Sequence, residues 1–283
     1  MIAYVRSFRH TGNLPGGTSV AAGVRSFAPR KQAAHRKAFS MIQTENTAIV
    51  LRHADYRDND RMITLLSPSR GRIDALIRSC RKPKSHNLNA GELFALGDYM
   101  LVEKSGRNTV TSVRLIETFY PLRNDYTRLT VGVYLLNLAD AAAEPEQEQR
   151  ELFMLLIHTL SRLTFSDQEW KPLLAGFLLH FSACEGFRPR LSHCVHCGKQ
   201  IPDEGPFFFD AAEGGLCCAQ CRKEKSQVPL APEQVRWMRG ALSSGSASWV
   251  NTPDAVAPLP LLRNYVEQRM GRRIRSASML PDN

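Results

Sequence analysis

The chain has 283 residues, 43% of them hydrophobic, and a formal net charge of +10. That length suffices for one large cored domain or two smaller ones. No apolar run reaches the roughly 18 residues that a membrane-spanning helix needs, the best candidates being broken by His158, His180 and Glu185, so a soluble protein without a membrane partner is expected.

The charge is unevenly spread. Seven of the 37 basic residues and none of the 27 acidic ones fall in residues 1–40, which leaves 30 against 27 in the remainder. This first segment, rich in Gly, Ala, Ser and Arg, lacks helical or strand periodicity and cannot bury enough surface to fold alone. It reads as a disordered basic extension, in the manner of a transit peptide, or as a mis-assigned start with Met41 as the true beginning.

From Thr47 to Phe119 short β segments alternate with polar turns: TAIVLRH, RMITLLS, RIDALIRS, FALGDYMLVEK and TVTSVRLIETF. The punctuation falls at Asp58-Asn59-Asp60, Pro68 to Gly71, Ser79 to Gly91 and Lys104 to Asn108. Five such strands in about 75 residues predict a small barrel of the OB or SH3-like kind, with a two-layer sandwich as the alternative. The basic side chains between Arg52 and Lys84 outnumber the acidic ones by nine to four. A surface of this kind gains salt-sensitive affinity for phosphates by releasing condensed counterions. The solvated-loop reading stands beside it, because only Tyr56, Phe94 and Tyr99 lie near as stacking partners.

After Pro121 the period changes to three and four, with Leu129, Val133, Leu136 and Ala139 on one predicted stripe. Three helices are expected, over YTRLTVGVYLLNLADAAAE, RELFMLLIHTLSRL and WKPLLAGFLLHFSACEGF. Two closing helices follow a cysteine-rich stretch, with Ser243–Ser248 as a linker between them.

Seven cysteines do not suit a disulfide framework, and two pairs are spaced C-x-x-C, CVHC at 194–197 and CAQC at 218–221. Twenty residues separate the inner cysteines. Such knuckles bring four thiolates to one tetrahedral ion, so a structural zinc site on Cys194, Cys197, Cys218 and Cys221 is predicted, in a reducing compartment. Four protein ligands leave no open position for water or substrate, so this metal holds the chain and does no chemistry. Cys217 is a competing ligand for Cys218, and His193 and His196 are weaker competitors. The intervening GPFFFDAAEGGL predicts a β-hairpin. The arginines of LRNYVEQRMGRRIRS either meet the C-terminal dipole of their helix or form a second DNA contact or acidic-peptide dock. No phosphate-cradling glycine loop, nucleophile elbow or H-E-x-x-H helix is present, and an enzyme is not expected.

The order of these parts resembles the RecO family of bacterial recombination mediators. AIVLRHADYRDNDRMITLLSPSRGRIDALIRSCRKPKS is similar to its opening, CEGFRPRLSHCVHCGK and GGLCCAQC to its knuckles, and LLRNYVEQRMGRRIRS to its terminal helix. One departure is that the family often has Gly where this chain has Ser79 or Cys80. The resemblance implies an α+β protein with a five-stranded OB-fold barrel over 41–120 and a helical domain over 121–276. A four-cysteine zinc module at 190–225 is inserted in the latter, and 277–283 form a tail. It also implies a cytoplasmic, nucleoid-associated role without catalysis. That role comprises binding single- and double-stranded DNA, annealing complementary strands, engaging the acidic tail of single-stranded DNA-binding protein, and working with RecR to load RecA. Carried onto this sequence, the DNA face includes Arg57, Arg61, Arg70, Arg72, Arg81, Lys82 and Lys84. For the acidic tail, Arg263 and Arg269 are candidate contacts. A sequence-specific zinc-ribbon regulator and a metal-assisted nuclease using Asp55, Asp58 and Asp60 are the alternatives.

Overall fold

The computed structural model describes residues 42–223, 227–243 and 256–281. The basic extension with its alternative start at Met41, most of the predicted 243–248 linker and the end of the tail lie outside the described residues.

Five strands, β1 (Ile42–Tyr56), β2 (Asp60–Ser67), β3 (Gly71–Ile77), β4 (Leu96–Lys104) and β5 (Arg107–Glu117), close a barrel in the order β1-β2-β3-β5-β4. The barrel reading holds and the sandwich does not. Its long first strand does two jobs. Ile42 to Ile49 pairs with β4, and Ile49 to Tyr56 with β2, with a bulge between Val50 and Arg52 that lets one strand bend around the closure. Closure on the other side is short, with β5 pairing parallel to β3 through Asn108, Thr109 and Val110 only.

Strand alternation divides β1 between two cores. Ala48 and Val50 face the barrel interior with Ile63, Leu65, Ile73, Ile77, Tyr99 and Leu101. Ile49 and Leu51 point the other way, into a larger core shared with the helices. This explains why four consecutive residues of one strand are buried.

The helices are α1 (Tyr126–Ala142), α2 (Arg150–Phe165), α3 (Trp170–Cys184), α4 (Pro232–Ser243) and α5 (Leu259–Met270). Asp125 caps α1, its carboxylate accepting from the Arg128 amide at 3.0 Å. The predicted α1 stripe describes only part of its burial. Leu129 and Val133 are half-buried, whereas Val131, Tyr134, Leu135 and Leu138 are fully enclosed. The reason is position: α1 touches β1, β2, α2 and α3, so no face of it is simply outward. Gly132 makes the barrel joint possible, since a Cβ there would lie 3.0 Å from the Phe94 ring.

Between α3 and α4 lies a three-stranded sheet, β6 (Phe207–Asp210), β7 (Gly215–Cys217) and β8 (Gln227–Leu230), in the order β7-β6-β8. The hairpin is legible in the sequence, but its third strand is not. After α5 the chain continues in a 3-10 turn, Arg275–Met279, and Ser276, Ala277 and Leu280 are buried against the body.

Candidate nucleic-acid interface and metal centre

The metal centre is built from short-range geometry. The first knuckle turns through Gly198, at φ 72°, so that the Cys194 amide donates to the Lys199 carbonyl (2.8 Å) and the Gly198 amide to the Cys194 carbonyl (3.0 Å). The second turns by a Cys221 amide to Cys218 carbonyl bond of 3.0 Å. The Val195 amide on the Leu216 carbonyl, 2.9 Å, places the two knuckles side by side. Gly215 makes the close approach possible, because a Cβ there would stand 2.3 Å from the Arg190 carbonyl oxygen.

The sulfur atoms of Cys194, Cys197, Cys218 and Cys221 all lie within 4.8 Å of one another. Cys197 Sγ and Cys218 Sγ are 3.7 Å apart, the edge of about 3.8 Å that a tetrahedron with metal–sulfur bonds of about 2.3 Å requires. The Cys218 amide also points at Cys194 Sγ, at 3.4 Å. Burial pushes the Cys194 thiol up, but the amides of Cys218, Cys197 and His196 outweigh it and bring it down to about 6. Cys217 is excluded: it is buried, its thiol donates to the Cys218 carbonyl, and burial together with the neighbouring Cys194 thiolate raises it to about 11. The histidines point elsewhere. His193 pairs with Ser192, while His196 Nε2 lies 3.0 Å from the Asp210 carboxylate, itself held by Gln227 and by the Ala212 and Glu213 amides. The four thiols therefore fit a single tetrahedral ion.

The module is locked to the helical core by aromatic contacts. Phe209 meets Tyr265 of α5 edge-on at 5.3 Å, and Tyr265 donates to the Phe187 carbonyl at 2.5 Å. Among the described residues, these four thiols are the one grouping of metal-ligand side chains close enough to share an ion.

The basic residues of the barrel separate into two sets. Arg61, with a side chain only 14% exposed, donates to Asp55 at 2.9 Å and to Glu92 at 2.5 Å. Arg70 pairs with Glu146, across to the loop before α2, and Arg72 lies between Asp74 and Asp140. Arg81 is 3.3 Å from Asp55. The Asp55 carboxyl is accordingly held below the usual carboxylate range, Arg61 being the main cause, and Arg70 does the same to Glu146. Of the candidate nuclease carboxylates, Asp55 is engaged by these arginines and Asp60 by the Ser79 amide, while Asp58 is exposed on the turn.

Arg57, Lys82 and Lys84 form no ion pair among the described residues and are exposed. Arg57 adopts φ 54° at the β1–β2 turn and stacks its guanidinium over Tyr56 at 5.2 Å. Ser79, one of the two positions, with Cys80, at which the family resemblance departs from Gly, has φ 54°, the left-handed region that glycine occupies without penalty.

A cleft of about 850 Å³ runs along the β3–β5 seam, and four exposed cations line it, Arg57, Arg78, Lys104 and Arg107. Tyr56 and Met62 supply apolar surface there, 41% and 39% exposed, and Asp74 is its one carboxylate. Sequence reasoning missed Lys104, Arg107 and Met62. Lys104 and Arg107 register there only as turn punctuation, and nothing local says that barrel closure sets the β4–β5 turn against the β1–β2 turn 50 residues earlier. Of the two helical candidates, Arg263 is half-buried beside Tyr134 and Glu267, whereas Arg269 is exposed and donates to the Ala212 carbonyl of the β6–β7 turn at 3.2 Å.

An OB-like barrel with a basic cleft, joined to a helical domain that carries a four-cysteine module, defines the structural class of the chain. The sequence matches the family descriptions "Recombination protein O N terminal" over residues 41–119 and "Recombination protein O C terminal" over residues 123–278. Proteins named DNA repair protein RecO are similar along most of its length. That of Anaeromyxobacter sp. (strain K) is 31% identical over 249 residues, 86% of this chain and 97% of its own. That of Synechococcus sp. (strain JA-2-3B'a(2-13)) is 32% identical over 252 residues, 83% and 87% respectively. The chain belongs to the RecO family of DNA repair proteins. No helix among the described residues is long and apolar enough to cross a membrane.

Proposed function

We propose that this chain is a non-enzymatic recombination mediator that binds single- and double-stranded DNA and anneals complementary strands at the nucleoid, in the cytoplasm. On this reading it engages the acidic tail of single-stranded DNA-binding protein, partners RecR, and so promotes RecA loading. The observation that carries the reading is the β3–β5 cleft. Four cations without an ion-pair partner among the described residues surround an exposed tyrosine there, which suits a strand whose backbone is held by charge and whose bases stack without being read.

The proposed DNA face is therefore drawn around Arg57, Arg78, Lys104 and Arg107, with Lys82 and Lys84 on the adjoining loop. Arg61, Arg70, Arg72 and Arg81 contribute through the architecture that presents it, since their carboxylate partners already offset their charge. Zinc suits the four-thiolate donor set, and Cys194, Cys197, Cys218 and Cys221 would hold one structural ion. RecO family membership favours the mediator over a sequence-specific regulator.

The test is annealing of two complementary, unstructured oligonucleotides across a salt series, bare and coated by single-stranded DNA-binding protein. Salt-sensitive acceleration that survives the coat is expected. Tyr56→Ala should weaken single-strand binding by about 1–3 kcal/mol and leave duplex binding nearly unchanged. An equal loss on both substrates would remove the stacking role.

A further inference from the structure

We infer that the end of α5 forms a second, separate phosphate-binding surface, so that one molecule holds two DNA strands at once. This rests on the DNA-binding reading above and extends it from the barrel to the helical domain.

The starting observation is a contrast in charge compensation. Of the barrel arginines, Arg61, Arg70, Arg72 and Arg81 all have a carboxylate within 4.0 Å. Arg190, Arg269, Arg272, Arg273 and Arg275 have none among the described residues, and all five are exposed. Among the described residues, the one protein acceptor of their guanidinium groups is the Ala212 carbonyl, which takes Arg269.

Their placement follows from the fold. The Arg190 amide donates to the Gly214 carbonyl at 2.9 Å and the Arg269 guanidinium to the Ala212 carbonyl at 3.2 Å, so the segment before the first knuckle and the last turn of α5 meet at the same β6–β7 turn. Arg272 and Arg273 come directly after Gly271, whose φ of 66° closes the helix as the Gly271 amide donates to the Gln268 carbonyl and the Arg272 amide to the Glu267 carbonyl. The helix ends there, and the chain turns with Arg272, Arg273 and Arg275 on an exposed stretch.

Such a surface suits a phosphate backbone better than an acidic peptide. An acidic tail with an apolar end needs a hydrophobic seat, yet Tyr265 is buried and only Met279 of the exposed large apolar side chains belongs to this segment. With no exposed ring to stack on among the described residues of the segment, the patch would hold backbone without regard to base. Two strands held on two faces need no exchange between molecules to meet, which is what annealing requires.

The experiment uses the full chain and two non-complementary single strands carrying a fluorescence-transfer pair. The unmodified protein should bring the labels together when one molecule is supplied per two strands. Arg272→Glu with Arg273→Glu, and the milder Arg272→Gln with Arg273→Gln, should bind one strand within about threefold of the parent but lose the transfer signal. Annealing should slow by about tenfold or more, with an unchanged melting temperature as the folding control. Transfer that persists in both variants, or a single-strand affinity that falls as far as the transfer, would sink the second surface. So would intact transfer together with lost capture of an oligoglutamate peptide, which would mark a peptide dock instead. An Arg57→Glu, Arg107→Glu variant tests the barrel reading separately: undiminished single-strand binding there would overturn that reading alone.

Discussion

The cysteine module and the barrel differ in how their chemistry is assembled. In the module four ligands lie in two C-x-x-C turns, and the structure brings those same four sulfurs within 4.8 Å. In the barrel the seven basic residues that the sequence points to scatter. Four become internal partners of carboxylates, while three cations outside the seven, Arg78, Lys104 and Arg107, join the cleft. A ligand set is encoded by local spacing and by the affinity of sulfur for soft metals. A charged surface is encoded by whichever acidic residue the fold sets opposite each cation, which no local window contains.

That contrast can be broken most forcefully at the module. Cys197→Ala should abolish stoichiometric metal binding and cost more than about 4 kcal/mol of stability, because the sheet under the knuckles loses its closing ligand. Chelation should likewise lower thermal stability before it lowers single-strand affinity at a temperature where the chain stays folded. Simultaneous loss of both on chelation would tie the metal to the DNA face and dissolve the distinction between the two regions.

Arg61→Ala addresses the barrel side with a smaller expected effect. It removes the guanidinium between Asp55 and Glu92, whose side chains are 51% and 39% exposed and so remain hydrated without it. A loss of about 1–2 kcal/mol is expected by denaturant melting. Single-strand affinity should fall less than in Tyr56→Ala. A larger loss for Arg61→Ala would return that residue to the contact surface.

The smallest effect is expected at Ser79. A left-handed φ of 54° penalises serine, and glycine relieves that strain while gaining freedom in the unfolded chain. Ser79→Gly should therefore change stability by less than about 1 kcal/mol. A loss well beyond that, measured by the same melt, would show that the Ser79 side chain supports the basic loop in a way its backbone does not reveal.

Much of the fold was legible. Strands β2 to β5 and helices α1 to α3 lie within about three residues of their predicted ends, and β1 begins five residues earlier than predicted, because polar turn residues punctuate the barrel and three-to-four spacing marks the helices. The exceptions have physical causes. The α1 stripe misled because the helix is enclosed by several elements at once, so periodicity no longer distinguishes inside from outside. The third strand of the module, Gln227–Leu230, was missed because Pro229 disguises it; it lies at the edge of the sheet, where a missing amide is tolerated.

The sequence by itself pointed to the family, the order of the barrel strands and helices, and the four cysteines that come together, since each of these rests on spacing along the chain. Only the tertiary structure decided which barrel cations face a carboxylate among the described residues and which do not. It closes β5 on β3 through three residue pairs, sets the β4–β5 turn beside Tyr56 and Arg57, and commits Arg61 and Arg72 to carboxylates. Charge acts through space and is cancelled by whatever stands within a few ångströms, so its functional sign at any residue exists only once the chain has folded.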